Sequence, residues 1–190
     1  MKFVQKEFSH IYEEKKSKFI AYLIPFDLFD TVMKKVKAEH PKARHFVYAY
    51  RYLNEFDQIV ENSSDDGEPK GTSGKPCLSV LAGQELINSA VIVVRYFGGV
   101  KLGTGGLVRA YGDSVNEVIK ISEFKAYQKL MRKILECEYG ELSQLEYLLH
   151  QDNITIKSKD FSTTVQLGIE LTAEQLANLE SYLSRNVKIL

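Results

Sequence analysis

The sequence predicts an α+β protein of two domains, and three features of the chain support this prediction. β-like segments and amphipathic helical segments follow one another through most of the first 121 residues. A charged and weakly structured stretch over residues 122–129 then interrupts this pattern. Beyond it, strands and helices recur in the order β-α-β-β-α-β, which is typical of a ferredoxin-like domain. We therefore predict an N-terminal sheet-and-helix domain over residues 1–127 and a ferredoxin-like domain over residues 128–190.

The first part of the N-terminal domain contains alternating and aromatic-rich segments that favour strands. Four strands are predicted there, over residues 3–8, 17–24, 43–52 and 58–61. The charged residues 13–16 are predicted to form the turn between the first two. Asp27 is placed to cap a helix with apolar residues at helical spacing, and Pro41 ends that helix.

The second part of this domain contains two helices and one strong strand. Pro76 occupies a position that suits the first residue of a helix, after Thr72 and Ser73 as possible caps. Residues 90–97 are apolar on both faces, so this strand should be covered on both sides or lie centrally. A long amphipathic helix is predicted over residues 107–120.

The C-terminal domain has a regular sequence of elements. Strands are predicted over residues 130–139, 154–158, 163–171 and 187–190, and helices over residues 142–151 and 173–185. Thr172 is placed to cap the second helix, with Gln175 in its first turn. This order defines the split β-α-β pattern.

Two glycine-rich segments, over residues 64–76 and 97–106, contain most of the twelve glycines of the chain. Glycine is favoured where the backbone must adopt a positive φ or approach another group closely. The second segment follows a β-branched strand and precedes a helix, an arrangement that directs backbone N–H groups towards an anion. Lys101 and Arg109 would add positive charge at that point.

Neither segment fits a known nucleotide-binding fingerprint. A P-loop requires glycine where this chain has Pro69, and serine or threonine where it has Pro76. The dinucleotide motif that would start at Gly103 and Gly105 requires a third glycine where the chain has Val108. P-loop ATPases and Rossmann dehydrogenases are therefore excluded.

Three stretches of the chain resemble the signature of the IMPACT family, in its bacterial YigZ branch. They are Ser-Asp-Asp-Gly-Glu-Pro over residues 64–69, Gly-Thr-Ser-Gly-Lys-Pro over residues 71–76 and the run from Arg95 to Tyr111. The upstream stretch around His45 is similar to the family's His-x-x-Tyr-Ala-Tyr strand. That strand commonly has Asn-Cys where this chain has Phe46-Val47, so a candidate reactive thiol is missing.

The resemblance implies a fold and a role in translation. Members of the family are similar to domain IV of elongation factor G, a ribosomal-protein-like left-handed βαβ fold with helices on one face of a sheet. The bacterial branch adds a ferredoxin-like domain resembling domain V of the same factor. Eukaryotic relatives regulate phosphorylation of an initiation factor by binding a ribosome-associated activator of the relevant kinase. We therefore expect a non-enzymatic regulator of translation that binds RNA, a ribosome-associated surface or a protein of the translation machinery.

The candidate binding residues come from both glycine-rich segments. They are Asp65, Asp66, Glu68, Lys75, Arg95, Gly98, Gly99, Lys101, Thr104, Gly105, Gly106 and Arg109. The glycines and cations of the second segment could hold a phosphate, or could simply let a helix pack closely. No catalytic residue, metal ligand or cofactor is expected.

The acidic segment leaves an enzymatic alternative open. Asp65, Asp66 and Glu68 could bind a hard divalent cation or act on a small phosphorylated or peptide-like substrate. An exposed turn with local charge pairing is the simpler interpretation of these residues. His45 is interpreted in the same way, as a hydrogen-bonded structural residue rather than a ligand.

Composition excludes several classes of protein and names no partner. The hydrophobic share of 44% and the charged share of 26% are ordinary for a globular protein, and the formal net charge is zero. Cys77 and Cys137 are too far apart and too isolated for a zinc site or a disulfide scaffold. The start of the chain lacks the apolar segment of a secretory signal, and no apolar run suits a membrane span. We therefore expect a cytoplasmic protein without membrane contact.

Overall fold

The computed structural model describes all 190 residues and divides the chain into two compact units. The units span Met1–Tyr127 and Gln128–Leu190. Each contains its own buried apolar clusters, so each has the core that a folded domain requires.

The N-terminal unit contains seven strands and three helices. The strands are β1 (Lys2–Phe3), β2 (Phe8–Glu14), β3 (Ser17–Pro25), β4 (His45–Leu53), β5 (Ile59–Ser64), β6 (Ser89–Tyr96) and β7 (Lys125–Ala126). The helices are α1 (Phe29–Glu39), α2 (Gly74–Gly83) and α3 (Gly103–Lys120), and a 3-10 turn over Phe26–Leu28 precedes α1. β1 pairs with β7, and the other five strands form one sheet in the order β2-β3-β6-β4-β5.

All neighbouring strands of the five-stranded sheet are antiparallel. Because β3 and β4 both pair with β6, they run parallel to each other, and α1 connects them across β6. In the same way, α2 connects the parallel strands β5 and β6 across β4. β6 is therefore the central strand and is buried from Ser89 to Arg95, which confirms the expectation from its apolar sequence.

Helices cover both faces of this sheet, so the expectation that they lie on one face was wrong. Val32 and Val36 of α1 pack with Ile92 of β6 on one face. Leu81 of α2 and Val115 of α3 belong to the cluster on the opposite face. The physical reason is the apolar character of both faces of β6, since each face needs a covering layer.

Several predicted boundaries in the N-terminal unit were also wrong. The first long strand is β2, over residues 8–14, because the tight turn at Lys15–Lys16 pairs Glu14 with Ser17. No side chain caps α1, so Asp27 does not act as its cap. The helix α3 begins at Gly103 rather than near residue 107, which shortens the second glycine-rich loop to residues 97–102. Pro76 is the third residue of α2, not the first.

The C-terminal unit has the predicted order of elements. Its elements are β8 (Met131–Cys137), α4 (Leu142–Gln151), β9 (Thr155–Phe161), β10 (Val165–Leu171), α5 (Ala173–Tyr182) and β11 (Lys188–Ile189). Antiparallel pairing in the order β11-β8-β10-β9 confirms the ferredoxin-like pattern. Thr172 and Gln175 form a reciprocal capping box at the start of α5, as predicted.

Candidate nucleic-acid interface

Both glycine-rich segments lie at the same end of the five-stranded sheet. The pairing of Lys18 with Tyr96 places the start of β3 beside the end of β6, and the pairing of His45 with Arg95 adds the start of β4. Tyr48 pairs with Ser64, so β5 also ends there. The acidic segment after β5 and the glycine loop after β6 therefore leave the sheet at the same end of its strands.

The carboxylate of Glu68 connects the acidic segment to the central strand and to α3. Its Oε1 accepts hydrogen bonds from Nη1 of Arg95 at 2.6 Å and from the hydroxyl of Tyr111 at 2.8 Å. The side chains of Glu68 and Arg95 are only 4% and 8% exposed. Burial, and then the negative charge of Glu68, raise the pKa of Tyr111, so its hydroxyl stays a hydrogen-bond donor. This group holds three separate segments of the chain together.

Asp65 occupies the N-terminus of α2. Its Oδ1 accepts hydrogen bonds from the backbone N–H groups of Ser73 and Gly74 and from the Ser73 hydroxyl, and its Oδ2 accepts from Gly71 N–H. Partial burial raises the pKa of Asp65, but these four hydrogen bonds outweigh it and keep the pKa below its ordinary value. The anion that satisfies this helix terminus is therefore part of the chain itself.

Two hydrogen bonds connect Asp66 of the acidic segment to the start of β4, which contains His45. Oδ2 of Asp66 accepts from the Phe46 N–H at 2.6 Å, and the backbone carbonyl of Asp66 accepts from Nδ1 of His45 at 2.8 Å. Nε2 of His45 lies 4.0 Å from Oε1 of Glu68. His45 is thus a hydrogen-bonded structural residue, as interpreted from the sequence, although it also lines a cavity together with Lys42 and Arg44.

Replacing Asp65 tests its role as a helix cap. We expect Asp65→Ala to lower the free energy of unfolding by about 2 kcal/mol near neutral pH, because α2 loses its terminal anion. Since the folded-state pKa is lowered, this contribution is complete above the ordinary carboxyl pKa of about 3.9. It is lost as the pH falls through the lower pKa of the folded protein.

Urea unfolding of both proteins between neutral and acidic pH measures this difference directly. Asp113→Ala is the matched control, because Asp113 accepts only one long, exposed hydrogen bond, at 3.5 Å from the Tyr12 hydroxyl. We expect it to change stability by less than about 0.5 kcal/mol at any pH. A stability loss for Asp65→Ala that stays constant down to acidic pH would contradict the assignment.

The glycine loop packs against the turn between β2 and β3. A Cβ atom at Gly98 would overlap the backbone carbonyl of Lys16, and the Gly98 N–H donates to Oγ of Ser17 at 3.2 Å. Lys15 and Lys16 form this two-residue turn with φ values of 46° and 65°. Such turns favour asparagine and glycine, so two adjacent lysines in this conformation are unusual. The close approach of Gly98 places both lysines beside the loop.

The N-terminus of α3 differs from that of α2 because no acidic group satisfies it. No side chain caps it, and its first turn contains no acidic residue. Lys101 and Thr104 are exposed beside it, and Lys101 forms no ion pair. Arg109 is also exposed and unpaired. Arg109 precedes Asp113 by one helical turn on the face of α3 that contacts Tyr12 of β2.

The candidate residues therefore fall into two groups with different surroundings. Four have internal partners: Asp65, Asp66, Glu68 and Arg95. Six are exposed: Lys75, Gly99, Lys101, Thr104, Gly105 and Arg109. Gly98 and Gly106 are half-buried, and Lys75 is the second residue of α2.

Sequence reasoning missed several residues at this end of the sheet. Lys15 and Lys16 were assigned only to a turn. Two adjacent lysines before a strand were the feature of the sequence that could have indicated a basic surface there. Lys42 and Arg44 precede β4 and were not among the candidate binding residues. Tyr111 was predicted only as part of the long amphipathic helix, and nothing in the sequence indicates its hydrogen bond to Glu68.

The fold and the site define a class of two-domain α+β protein. Its N-terminal sheet has an exposed glycine-rich loop, containing Lys101, at the end of the central strand. None of its helices has the length and apolar character needed to cross a bilayer. The Impact N-terminal domain matches residues 15–119, and a domain of unknown function, DUF1949, matches residues 135–185.

The chain belongs to the IMPACT family. It is 39% identical to an IMPACT family member of Haemophilus influenzae over 181 residues, covering 92% of this chain and 87% of the relative. It is also 39% identical to the IMPACT family member YigZ of Escherichia coli over 175 residues, covering 90% and 86%. A crystal structure described as that of a hypothetical protein matches the whole chain and 95% of its own, with a TM-score of 0.69 and 35% sequence identity.

Proposed function

We propose that this chain regulates translation in the cytoplasm without catalysis, by binding RNA, including RNA displayed on the ribosome. Binding would use the basic surface, defined here as Lys15, Lys16, Lys101 and Arg109 around the N-terminus of α3. A protein of the translation machinery is the alternative partner for the same surface. The uncapped start of α3, preceded by the exposed and unpaired Lys101, is the observation that supports this proposal most strongly.

The contrast between α2 and α3 supports an external anion at the second helix only. Helix N-termini attract anions through their free N–H groups and the helix dipole. At α2 this requirement is satisfied by Asp65, whereas α3 has neither a side-chain cap nor an acidic residue in its first turn. A phosphate of an RNA backbone has the charge and the acceptor oxygens that this terminus lacks.

The composition of the glycine loop supports a nucleic acid rather than a small anion. Phe97 is 59% exposed and Val100 is 44% exposed, and both lie in the loop that joins β6 to α3. An exposed aromatic ring among cations is the combination on which single-stranded bases stack. With a net charge of zero for the whole chain, this local concentration of charge, not a general attraction, would direct binding.

The acidic segment gives no comparable support to the enzymatic alternative. Asp65, Asp66 and Glu68 each accept hydrogen bonds from groups of the chain itself, and they do so in three different directions. A shared metal or a paired acid and base would need these oxygens to converge on one point. We therefore retain RNA binding as the proposed function.

Charge reversal of the basic surface tests this proposal. We expect Lys101→Glu/Arg109→Glu to weaken binding to a labelled single-stranded RNA at least about tenfold at moderate salt, because two phosphate contacts are lost. The slope of log affinity against log salt should become shallower by about 0.7 for each lost contact with the single strand. Fluorescence anisotropy across a salt series measures both quantities, and co-sedimentation extends the test to ribosomes.

The matched control is Lys34→Glu/Lys125→Glu, which produces the same change in net charge. Both lysines are exposed and unpaired, and they lie on α1 and on β7, away from the glycine loop. We expect the control to bind RNA nearly as the parent does. Equal losses in the two double variants would contradict the basic surface, and ribosome binding that does not respond to salt would point to a protein partner.

A further inference from the structure

A cavity of about 310 Å³ opens beside the basic surface, where β6 ends and β4 begins. It is lined by Lys42, Arg44, His45, Arg95, Tyr96 and Phe97. The pairing of His45 with Arg95 brings these two short segments together. The cavity is distinct from the start of α3, although Phe97 lies between the two features as the residue before Gly98.

The lining of this cavity is positively charged and contains no carboxylate. Lys42 and Arg44 are exposed and form no ion pair or hydrogen bond with the chain. The carboxylate of Glu68 lies 4.0 Å from Nε2 of His45, but it already accepts from Arg95 and Tyr111. The charge of Lys42 and Arg44 is therefore not neutralised within the chain, and it favours an anionic ligand.

Arg95 gives a second reason to expect an anion, because one of its hydrogen-bond donors has no acceptor within the chain. Its side chain is 8% exposed, and its Nη1 donates to Glu68. Its Nε is fully buried and has no hydrogen-bond partner. A buried donor without a partner destabilises the folded protein, so such groups call for an explanation. Only Nη1 of this guanidinium is engaged by Glu68, so Arg95 retains donor capacity for an anion in the cavity that it lines.

The aromatic wall limits the kind of anion that fits. The ring of Phe97 is largely exposed, with the Arg95 guanidinium 5.7 Å from its centroid. A nucleobase could stack on this ring while its phosphate reaches the cations. The volume lies at the low end of the range for small-molecule sites, which suits one nucleotide rather than a duplex.

We propose that this cavity binds the terminal nucleotide of an RNA strand that ends in a phosphomonoester. The proposal rests on the proposed function, because it assigns to the same RNA partner a second contact beside the basic surface. A terminal phosphomonoester carries a charge of about −1.5 to −2 at neutral pH, against −1 for an internal phosphate. A cavity lined by cations therefore favours a phosphorylated end over an unphosphorylated one. A surface that contacts only the RNA backbone has no such preference.

Three labelled RNAs of one short sequence test the proposal: one with a 5′-phosphate, one with a 3′-phosphate and one with hydroxyls at both ends. We expect at least about tenfold tighter binding of one phosphorylated RNA than of the unphosphorylated RNA. Arg44→Ala should abolish this preference, since Arg44 is exposed and its replacement should leave the fold intact. Phe97→Ala should reduce it, and Lys34→Ala is the matched control that should leave it unchanged.

The outcomes separate this proposal from the proposed function. Lys101→Glu/Arg109→Glu should weaken all three RNAs to a similar extent and preserve the preference for the phosphorylated end. Equal binding of the three RNAs would overturn the cavity proposal and leave RNA binding by the basic surface intact. A preference that survives Arg44→Ala would also overturn it, as would competition by inorganic phosphate as effective as that by a nucleoside monophosphate. Failure of every RNA to bind would remove both proposals.

Discussion

Glu68→Ala is expected to lower the free energy of unfolding by about 3–5 kcal/mol, the largest loss for any single replacement in the acidic segment. The replacement leaves the guanidinium of Arg95 buried without its carboxylate, and it removes the acceptor of the Tyr111 hydroxyl. Isolated buried charges are costly because the protein interior solvates them poorly. Chemical unfolding followed by circular dichroism measures the change.

Glu61→Ala is the matched control for Glu68→Ala. Glu61 also accepts from an arginine at 2.6 Å, through Nε of Arg51, but the Glu61 side chain is 40% exposed. We expect this replacement to cost at most about 1 kcal/mol, because water reaches Glu61 and the buried Arg51 keeps its hydrogen bond from Nη1 to the Leu86 carbonyl. Similar losses for the two variants would show that burial does not determine the contribution of Glu68.

A double replacement separates the cost of an unpaired charge from the value of the pair. In Glu68→Gln/Arg95→Met neither charge remains, and the glutamine amide oxygen can still accept from the Tyr111 hydroxyl. We expect the double variant to be more stable than Glu68→Ala, since replacing both members of a buried pair often changes stability little. A double variant that is less stable than Glu68→Ala would contradict this account.

Gly98→Ala is expected to destabilise the N-terminal unit by about 3 kcal/mol, although it adds a single methyl group. The added Cβ overlaps the backbone carbonyl of Lys16, so the glycine loop and the turn at Lys15–Lys16 must separate. The same displacement would move Lys15 and Lys16 away from the start of α3. We therefore expect weaker RNA binding even where the variant remains folded, which anisotropy at low temperature would detect.

Gly105→Ala is the opposite case within the same glycine-rich segment. Gly105 lies in the first part of α3, its φ is not positive, and a Cβ atom there would meet no neighbouring atom within 4 Å. We expect alanine at this position to stabilise the protein by about 0.5–1 kcal/mol, because glycine is unfavourable inside helices. Destabilisation by both replacements to the same extent would contradict the close approach at Gly98.

The two units differ in how far their sequences predicted their folds. In the C-terminal unit, the strand and helix periodicities are local, and the capping box at Thr172 and Gln175 marks a helix start directly. In the N-terminal unit, the strand before the turn was misplaced from residues 8–14 to residues 3–8. The position of β2 depends on its pairing with β3, and the local amino-acid composition does not determine such pairing.

The candidate site shows the same division between local and tertiary information. Glycine content and the charges of Lys101 and Arg109 were sufficient to select the loop after β6. The different roles of Asp65, Asp66 and Glu68 were not predictable, because adjacent residues in a loop turn towards different partners. One accepts from the N-terminus of α2, one from the Phe46 N–H and one from Arg95 and Tyr111.

The sequence by itself determined the α+β class, the ferredoxin-like order of the C-terminal elements, and that the apolar strand β6 is covered on both sides or lies centrally. These features follow from hydrophobic periodicity and capping, which act between residues close in the chain. Only the tertiary structure decided which helices cover each face of the first sheet and that both glycine-rich segments meet at the same end of its strands. It also decided that Glu68 joins them, because pairing and burial depend on residues far apart in sequence.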